Sequence, residues 1–257
     1  MSDLLEISQQ GAVLVVRLNR VAKRNALSDA LVEALRQTFT TLPQNVAAVL
    51  LCANGEHFCA GLDLNELRER DAVGGLHHSR GWHAAFNEIQ FGRVPVVAVL
   101  HGAVVGGGLE LATCAHVRVA EESTLYALPE GSRGIFLGGG GSVRVGKLIG
   151  AARVTDMMLT GRTYSAQEGY PVGFSQYVTE NGAGFAKGLA LAQRIAENAP
   201  MTNYALMHAL PRIVDQPADH GYFTESLMAG IAQSADEAKA RVRDFLERGV
   251  NKVKAKN

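Results

Sequence analysis

The chain has 257 residues, with 25 lysines and arginines balanced by 25 aspartates and glutamates, so its formal net charge is zero. A chain of this length forms one large domain or two small ones around a sizeable apolar core. The charge balance, with no dense basic patch before the last few residues, argues against nucleic-acid binding.

The first part of the chain predicts alternating strands and helices. Residues 4–8 and 12–19 predict a hairpin around Gly11, and the apolar run 46–52 predicts a strand covered on both faces. Ser28 is a good N-cap for the helix between them. The apolar residues of that helix recur at helical spacing, namely Leu31, Ala34, Leu35, Phe39 and Leu42.

An apolar run at residues 94–115 is about long enough to cross a bilayer. It carries His101, Glu110 and several glycines, however, and a charge in mid-membrane costs several kcal/mol. We therefore predict no membrane span here. The run indicates a buried strand at residues 96–100, a turn, and a buried helix that begins near Gly107.

The remaining elements change character along the chain. Residues 77–91, 142–149 and 152–159 predict helices, and residues 116–120, 124–127 and 175–179 predict strands. Beyond Gly182 the pattern is almost entirely helical, at residues 185–198, 201–210, 223–233 and 236–248. We predict an α/β body over residues 1–198, followed by a helical region over 199–257 that serves as a lid or an assembly surface.

Glu110 and Glu130 both lie in apolar, glycine-rich surroundings. Glu110 follows the triplet Gly106-Gly107-Gly108, and Glu130 precedes a second glycine-rich run at residues 138–141. Either glutamate alone is equally well explained as a residue of a first helical turn. Charged side chains are rarely buried unless paired or functional, and burial raises a carboxyl pKa toward working pH. The pair therefore indicates acid/base chemistry.

A helix that opens at Gly107 presents unpaired backbone N–H groups and the positive end of the helix dipole. Such a site suits a phosphate or the developing oxyanion of a polarised carbonyl, and a second N–H donor near Ala60-Gly61 would complete an oxyanion hole. The phosphate interpretation lacks its partners, because the chain has no GxxxxGK[ST] and its first strand is not followed by GxGxxG. A GxSxG nucleophile elbow is also missing.

The cysteines and histidines predict no further chemistry. Three cysteines, Cys52, Cys59 and Cys114, cannot all pair within one chain, and the apolar neighbours of Cys59 favour a core thiol over a nucleophile. The eight histidines form neither HExxH nor Cys/His zinc spacing, so we predict no metal. The start of the chain lacks a signal-peptide pattern, and we predict a cytoplasmic protein.

Four segments together carry a family resemblance: Asn25-Ala26-Leu27, residues 57–64 (HFCAGLDL), residues 101–110 (HGAVVGGGLE), and Pro129-Glu130 with the glycines that follow. The chain resembles the crotonase superfamily, the enoyl-CoA hydratase/isomerase proteins, over nearly its whole length. The resemblance implies an α/β spiral of ββα units with a C-terminal helical trimerisation region. It further implies a homotrimer, or a homohexamer formed as a dimer of trimers, that acts on acyl-CoA substrates with no separate cofactor.

The same resemblance implies roles for individual residues. Glu110 and Glu130 would be the two catalytic carboxylates, and Ala60 and Gly107 would supply the N–H groups of the oxyanion hole. Arg248, which follows Phe245 near the chain end, would reach the CoA of an adjacent subunit. The remaining CoA contacts would come from Ala22, Lys23, Ala60, Gly61, Leu62, Asp63 and Leu64.

Two carboxylates favour a hydratase, because hydration needs one group to take a proton from water and another to deliver one to the α-carbon. A double-bond isomerase can shuttle its proton with one carboxylate. Three alternatives stay open within the superfamily: an isomerase, an acyl-CoA hydrolase, and a 3-methylthioacryloyl-CoA hydratase, whose branch the polar segment 130–136 resembles. A non-catalytic acyl-CoA-binding assembly protein is a fourth.

Overall fold

The computed structural model describes residues 3–66, 69 and 71–247. The chain divides into two compact units, Met1–Ala196 and Glu197–Asn257. The first unit contains all the strands described and the second is helical, so the mixed α/β class is confirmed. The assembly role of the second unit stays a prediction.

A six-stranded sheet forms the centre of the first unit, in the order β1-β2-β3-β4-β6-β9. The hairpin around Gly11 is confirmed, since β1 and β2 pair antiparallel and all later neighbours in this sheet pair parallel. Its strands are β1 (Leu5–Gln10), β2 (Val13–Leu18), β3 (Ala48–Ala53), β4 (Val96–Leu100), β6 (Val117–Glu121) and β9 (Tyr177–Thr179).

A second sheet contains three short strands, of which only the one predicted at residues 124–127 was expected. Its strands are β5 (Ala103–Val105), β7 (Leu125–Ala127) and β8 (Tyr164–Ser165). Strand β5 pairs parallel with β7, which pairs antiparallel with β8. The apolar run that begins at Val94 therefore folds as β4, β5 and a helix, and β5 ends directly before the glycine triplet.

In the described part of the first unit, seven α-helices connect or cover these strands. Ser28 caps the first of them as predicted, with its Oγ accepting from the Leu31 N–H at 3.2 Å. The second begins at Ala72, earlier than predicted, because Asp71 caps its Gly74 N–H at 2.7 Å. The helices are α1 (Asp29–Thr40), α2 (Ala72–Gln90), α3 (Gly107–Ala112), α4 (Gly141–Ile149), α5 (Ala151–Thr160), α6 (Ala166–Val172) and α7 (Gly184–Ala196).

Both faces of the central strands are buried, as the continuous apolar run of β3 predicted. Val49 and Leu51 face a core shared with α1, α2 and α3, whereas Leu50 faces a separate cluster that includes Ala192 of α7. Such two-sided burial is typical of parallel strands. It fixes the carboxyl ends of β3 and β4, from which the next segments of the chain run toward the glycine triplet.

The described part of the second unit, residues 197–247, contains α8 (Pro200–Tyr204), α9 (Leu210–Ile213), α10 (Ala218–Ser234) and α11 (Asp236–Glu247), with a π-helical turn at Ala205–Ala209 between the first two. Helix α10 buries only Gly221 within the single chain. Arg248 lies outside the described residues. Within the described ranges, no helix is both long enough and apolar enough to cross a membrane.

Candidate active site

The backbone of residues 57–63 lies against β5 and the start of α3. Cys59 exchanges backbone hydrogen bonds with β5, donating to the Ala103 carbonyl at 2.9 Å and accepting from the Val105 N–H at 3.1 Å. On its other side, the Leu27 N–H donates to the Gly61 carbonyl at 2.7 Å. Gly61 has a φ of +97°, and a Cβ there would lie 2.8 Å from the Val105 carbonyl oxygen, so only glycine fits.

Two backbone N–H groups meet at this point. A Cβ on Gly107 would lie 3.6 Å from the Leu62 nitrogen, and a Cβ on Gly61 would lie 3.7 Å from the Gly107 nitrogen. Neither the Leu62 nor the Gly107 N–H has an acceptor among the described residues. Two neighbouring free donors at a helix N-terminus have the arrangement of an oxyanion hole.

The structure corrects the prediction for Ala60. Its N–H donates to the Arg24 carbonyl at 3.0 Å, so that donor is already used within the protein. The free donor beside Gly107 belongs to Leu62, on the other side of Gly61. Gly61 identified the tight turn correctly from the sequence. Which of the two N–H groups beside it has a partner depends on the path of residues 20–27, which the sequence does not show.

Glu110 lies in α3 and is buried, with 3% of its surface exposed. Its Oε1 accepts hydrogen bonds from the Gly139 and Gly141 N–H groups, each at 2.8 Å. Gly141 is the first residue of α4, so the carboxylate sits at the positive end of that helix dipole. Burial raises the pKa of Glu110, while the two N–H donors and the Arg144 guanidinium act in the opposite direction.

Glu130 follows β7 and approaches the same glycine triplet. A Cβ on Gly106 would lie 2.5 Å from its Oε1, so the close approach of the carboxyl requires glycine there. The Oε2 atom is buried and has no hydrogen-bond partner among the described residues. Burial raises the pKa of Glu130 to about 7, and the neighbouring Glu110 carboxylate contributes to the increase.

An apolar wall from α2 and from Leu27, which precedes α1, shields these groups from water. Trp82 Cζ3 and Leu27 Cδ1 would lie 3.1 Å and 3.3 Å from a Cβ on Gly107. Phe86 Cε2 would lie 3.0 Å from a Cβ on Gly139. The Trp82 indole N–H donates to Asp29 Oδ1 at 3.2 Å, which fixes the ring. The low-dielectric surroundings strengthen every electrostatic interaction inside the site.

Comparison with known proteins decides the family. Residues 8–256 match the sequence profile described as Enoyl-CoA hydratase/isomerase. The chain belongs to this family, within the crotonase superfamily. It is an enoyl-CoA hydratase or a related crotonase-family enzyme.

Three similar proteins illustrate the relationship. A solved structure from Rhodopseudomonas palustris CGA009, provisionally described as an enoyl-CoA hydratase, is 57% identical with a TM-score of 0.93 over 95% of each chain. The 2,3-dehydroadipyl-CoA hydratase of Escherichia coli K12 is 29% identical over 96% of this chain and 97% of its own. The carnitinyl-CoA dehydratase of Salmonella enteritidis is 32% identical over 86% of this chain and 85% of its own.

The residues predicted to line CoA in this crotonase-family enzyme differ in their exposure to solvent. Ala22 and Lys23 form an exposed turn, and Leu64 is 57% exposed. The Asp63 carboxylate is buried and pairs with Arg20 at 2.6 Å, so its side chain is used to hold the segment rather than to face a ligand. The Asn65 N–H and Arg20 lower the pKa of Asp63.

Cys59 is a buried free cysteine. The thiol is buried, and burial raises its pKa to about 12, so the thiolate that a nucleophile requires is not formed at working pH. The prediction of a core thiol is confirmed. Among the groups described at this site, Glu110 and Glu130 are the buried carboxyls whose pKa burial raises toward neutral pH.

Proposed function

We propose that this enzyme hydrates a 2-enoyl-CoA thioester, adding water across its 2,3 double bond. The observation that carries the proposal is the pair of buried carboxyls, Glu110 and Glu130, beside two free backbone N–H groups. The names of two relatives, a hydratase and a dehydratase of acyl-CoA thioesters, support a reaction of this type. A double-bond isomerase would need only one of the carboxylates.

Glu110 acts as the general base in this proposal. Two N–H hydrogen bonds and the start of α4 stabilise its ionised form, so it can take a proton from water as the water oxygen bonds to C3. Glu130 acts as the general acid. Its unpaired Oε2 and raised pKa favour the protonated form, which delivers a proton to C2. The O–H bond of water, the O–H bond of the Glu130 carboxyl and the C2–C3 π bond break, while C3–O, C2–H and Glu110 O–H bonds form. Transfer of a proton from Glu110 back to Glu130 through solvent then restores both carboxyls.

The oxyanion hole is formed by the N–H groups of Leu62 and Gly107. Electron density moves from the double bond onto the thioester oxygen as water adds, and the two donors stabilise that enolate-like oxygen. Each such donor contributes roughly 3–4 kcal/mol to transition-state stabilisation. Because the donors are backbone groups held by β5 and Leu27, little reorganisation is needed during the reaction.

The CoA portion would follow the segment from Gly61 to Leu64, with Ala22 and Lys23 near its adenosine end. Lys23 is an exposed cation on the 3₁₀ turn Val21–Lys23, suited to a phosphate. Asp63 supports this surface through its ion pair with Arg20 rather than through contact with the ligand.

Glu110→Gln and Glu130→Gln test the proposal, because glutamine keeps the shape of the side chain and cannot exchange the proton. We expect each variant to lose about 10²–10⁴-fold in turnover while still binding acyl-CoA. Loss of the enoyl-thioester absorbance measures turnover over a panel of acyl chains that includes 3-methylthioacryloyl-CoA. Glu122→Gln, at an exposed position, is the matched control. Turnover near wild type in either site variant would refute the role assigned to that residue.

Product analysis separates hydration from the alternative reactions. Hydration gives a 3-hydroxyacyl-CoA, whereas an isomerase moves the double bond and a hydrolase releases free CoA. A wild-type enzyme that yields either of the latter products, and no hydroxyacyl-CoA, would overturn the proposed function.

A further inference from the structure

Arg144 is a buried cation directly behind Glu110. It lies in the first turn of α4 and is 8% exposed. Its guanidinium donates to three neutral acceptors: Nε to Gln90 Oε1 at 2.6 Å, Nη1 to the Gly139 carbonyl at 2.8 Å, and Nη2 to Asn87 Oδ1 at 2.8 Å. Burying a guanidinium without a carboxylate partner is costly, which calls for a compensating role.

Gly139 connects this guanidinium to the candidate catalytic base. Its N–H donates to Glu110 Oε1, and its carbonyl accepts from Arg144 Nη1. Residues 138–141 are four consecutive glycines, whose backbone has the greatest conformational freedom of any residue type. Arg144 therefore supplies an anchor that the glycines cannot supply themselves, since they have no side chains to pack.

The anchor extends to a second helix. Asn87 and Gln90 lie on α2, the helix that also provides the Trp82 and Phe86 wall. The guanidinium thus connects the glycine loop by hydrogen bonds to α2, the helix that shields the carboxylates from water. If these contacts were lost, the Gly139 and Gly141 N–H groups would no longer be directed at one oxygen atom.

We propose that Arg144 is a positioning residue for Glu110, holding residues 139–141 so that two backbone N–H groups stay on its carboxylate. This inference rests on the proposed role of Glu110 as the base in hydration. Arg144 reaches Glu110 only through the Gly139 backbone and through its charge, and it is not itself a catalytic residue.

Burial raises the pKa of Glu110, and the charge of Arg144 opposes that increase. The titratable and charged groups that face Glu110 are Arg144 from α4, Glu130 after β7, and the Cys114 thiol at the end of its own helix. Arg144 is the cation among them, so its removal raises the pKa of Glu110. A base must be ionised, and the acid limb of the pH–rate profile would move to higher pH. The nearby His83, whose pKa burial and Arg144 lower, would also titrate higher.

Arg144→Gln and Arg144→Lys test the proposal, because lysine keeps the charge and loses the fork of donors. We expect kcat to fall on the order of 10²-fold in the glutamine variant, as for other misplaced catalytic groups, with KM close to wild type. The acid limb should move to higher pH in Arg144→Gln and stay nearer its wild-type position in Arg144→Lys. Turnover against pH, with acyl-CoA affinity measured separately, gives all three quantities.

Two further variants make the test specific. Asn87→Ala removes one acceptor from an exposed position without changing the charge, so we expect a smaller loss of kcat that disappears in the Arg144→Gln background. Arg153→Gln is the matched control, because Arg153 donates Nη1 to the Ile149 carbonyl at 2.8 Å and forms no hydrogen bond with the described residues 138–141. It should keep wild-type kcat and pH dependence.

The outcomes separate this inference from the proposed function. A folded Arg144→Gln enzyme with wild-type kcat and acid limb would overturn it, and so would a loss explained entirely by a lower fraction folded. If the wild-type enzyme forms no hydration product, the proposed function fails by itself. Infrared titration of the Glu110 carboxyl, identified by difference from Glu110→Gln, then decides: an unchanged pKa in Arg144→Gln would overturn the inference.

Discussion

Glu110 and Glu130 are the same residue type in two different environments, and the proposed roles rest on that difference. The Glu110 carboxyl accepts hydrogen bonds from two backbone N–H groups at 2.8 Å, whereas Glu130 has a buried oxygen atom with no hydrogen-bond partner in the part of the chain that the structure describes. Hydrogen bonds to the charged form favour ionisation, and burial without them favours the neutral acid. Burial raises the pKa of both carboxyls, but only Glu110 has two N–H donors that act against the increase, which supports the proposed assignment of base and acid.

The protonated state of Glu130 predicts a pH-dependent stability. Its pKa rises from 4.5 to about 7 on folding, so the native state holds a proton that the unfolded chain releases between these values. Stability falls as pH rises through this window, by about 3 kcal/mol at 1.36 kcal/mol per pKa unit. Glu130→Gln does not titrate. We expect its free energy of unfolding to gain on wild type between pH 5 and pH 8.

Urea denaturation at the two pH values measures this gain, with Glu122→Gln as the surface control. A difference between Glu130→Gln and wild type that is the same at both pH values would contradict the prediction.

Gly107 is predicted to tolerate no side chain beyond hydrogen. A Cβ would lie 3.1 Å from Trp82 Cζ3, and the larger valine would also displace the thioester oxygen from the N–H donor. Gly107→Val should therefore lower kcat by roughly 10²–10³-fold, the usual cost of one oxyanion donor. Gly146→Val is the control, since a Cβ at Gly146 meets no atom within 4 Å. Full kcat in Gly107→Val would place the hole elsewhere.

From the sequence, the residues of the candidate site could be predicted, but not which of their neighbouring backbone donors are free. Glu110, Glu130 and Gly107 stand out because charge and glycine are unusual in apolar runs. The free N–H of Leu62 could not be found in this way, because only the hydrogen bond from Ala60 to the Arg24 carbonyl shows which donor is free. Arg144 was missed for a similar reason, since its acceptors on α2 are more than 50 residues away along the chain.

Among the elements, a buried asparagine joins the loops that lead to the oxyanion hole. Asn25 is fully buried with a φ of +54°. Its Oδ1 accepts from the Arg20 N–H, and its Nδ2 donates to the Asn54 and His57 carbonyls, all at 2.8 Å. Asparagine tolerates this left-handed conformation better than most residues. The Asn-Ala-Leu segment therefore has a structural explanation.

Asn25→Ala is expected to destabilise the protein by about 2–3 kcal/mol, because it leaves buried carbonyls and an N–H without partners. Urea denaturation measures the change, and Asn45→Ala at an exposed position is the control. Activity of the folded fraction should fall as well, since the loop at His57 precedes the hole. A variant as stable as wild type would show that water replaces the lost hydrogen bonds.

Element prediction succeeded where the elements are long. The buried strand at β3 and the capped helix α1 follow from apolar runs and spacing that extend over six or more residues. In the sheet of β5, β7 and β8, only β7 was predicted, as a strand at residues 124–127. Strands β5 and β8 have three and two residues, too short for a period to be recognised. Those short strands nevertheless place the glycine triplet beside residues 57–62.

For the whole molecule, the second unit carries more exposed apolar surface than soluble monomers usually show. The large apolar side chains concerned, each at least 47% exposed in the single chain, are Tyr204, Leu206, Leu210, Val214, Tyr222, Phe223, Leu227, Ile231, Val242, Phe245 and Leu246. A closed ring of subunits buries such a surface without leaving free ends.

We therefore predict an assembly of at least three subunits, as a trimer or a hexamer. Light scattering measures the mass, and Phe223→Asp with Leu227→Asp should reduce it by placing charges in the interface. Thr224→Asp on the same helix is a charge control, since its side chain is less exposed and already hydrogen-bonded. A fully active enzyme of about 27 kDa would refute the prediction.

The three buried thiols can report when different parts of the molecule open. Burial raises the pKa of Cys52 to about 11 and of Cys59 and Cys114 to about 12, so alkylating reagents react only when the surrounding segment opens. Cys59 and Cys114 adjoin the two ends of the segment that holds Glu110, whereas Cys52 lies within β3. Pulsed alkylation followed by mass spectrometry would therefore measure the rate at which the segment that holds Glu110 opens. The same experiment would measure separately the rate at which the central sheet opens, with no need for an engineered cysteine.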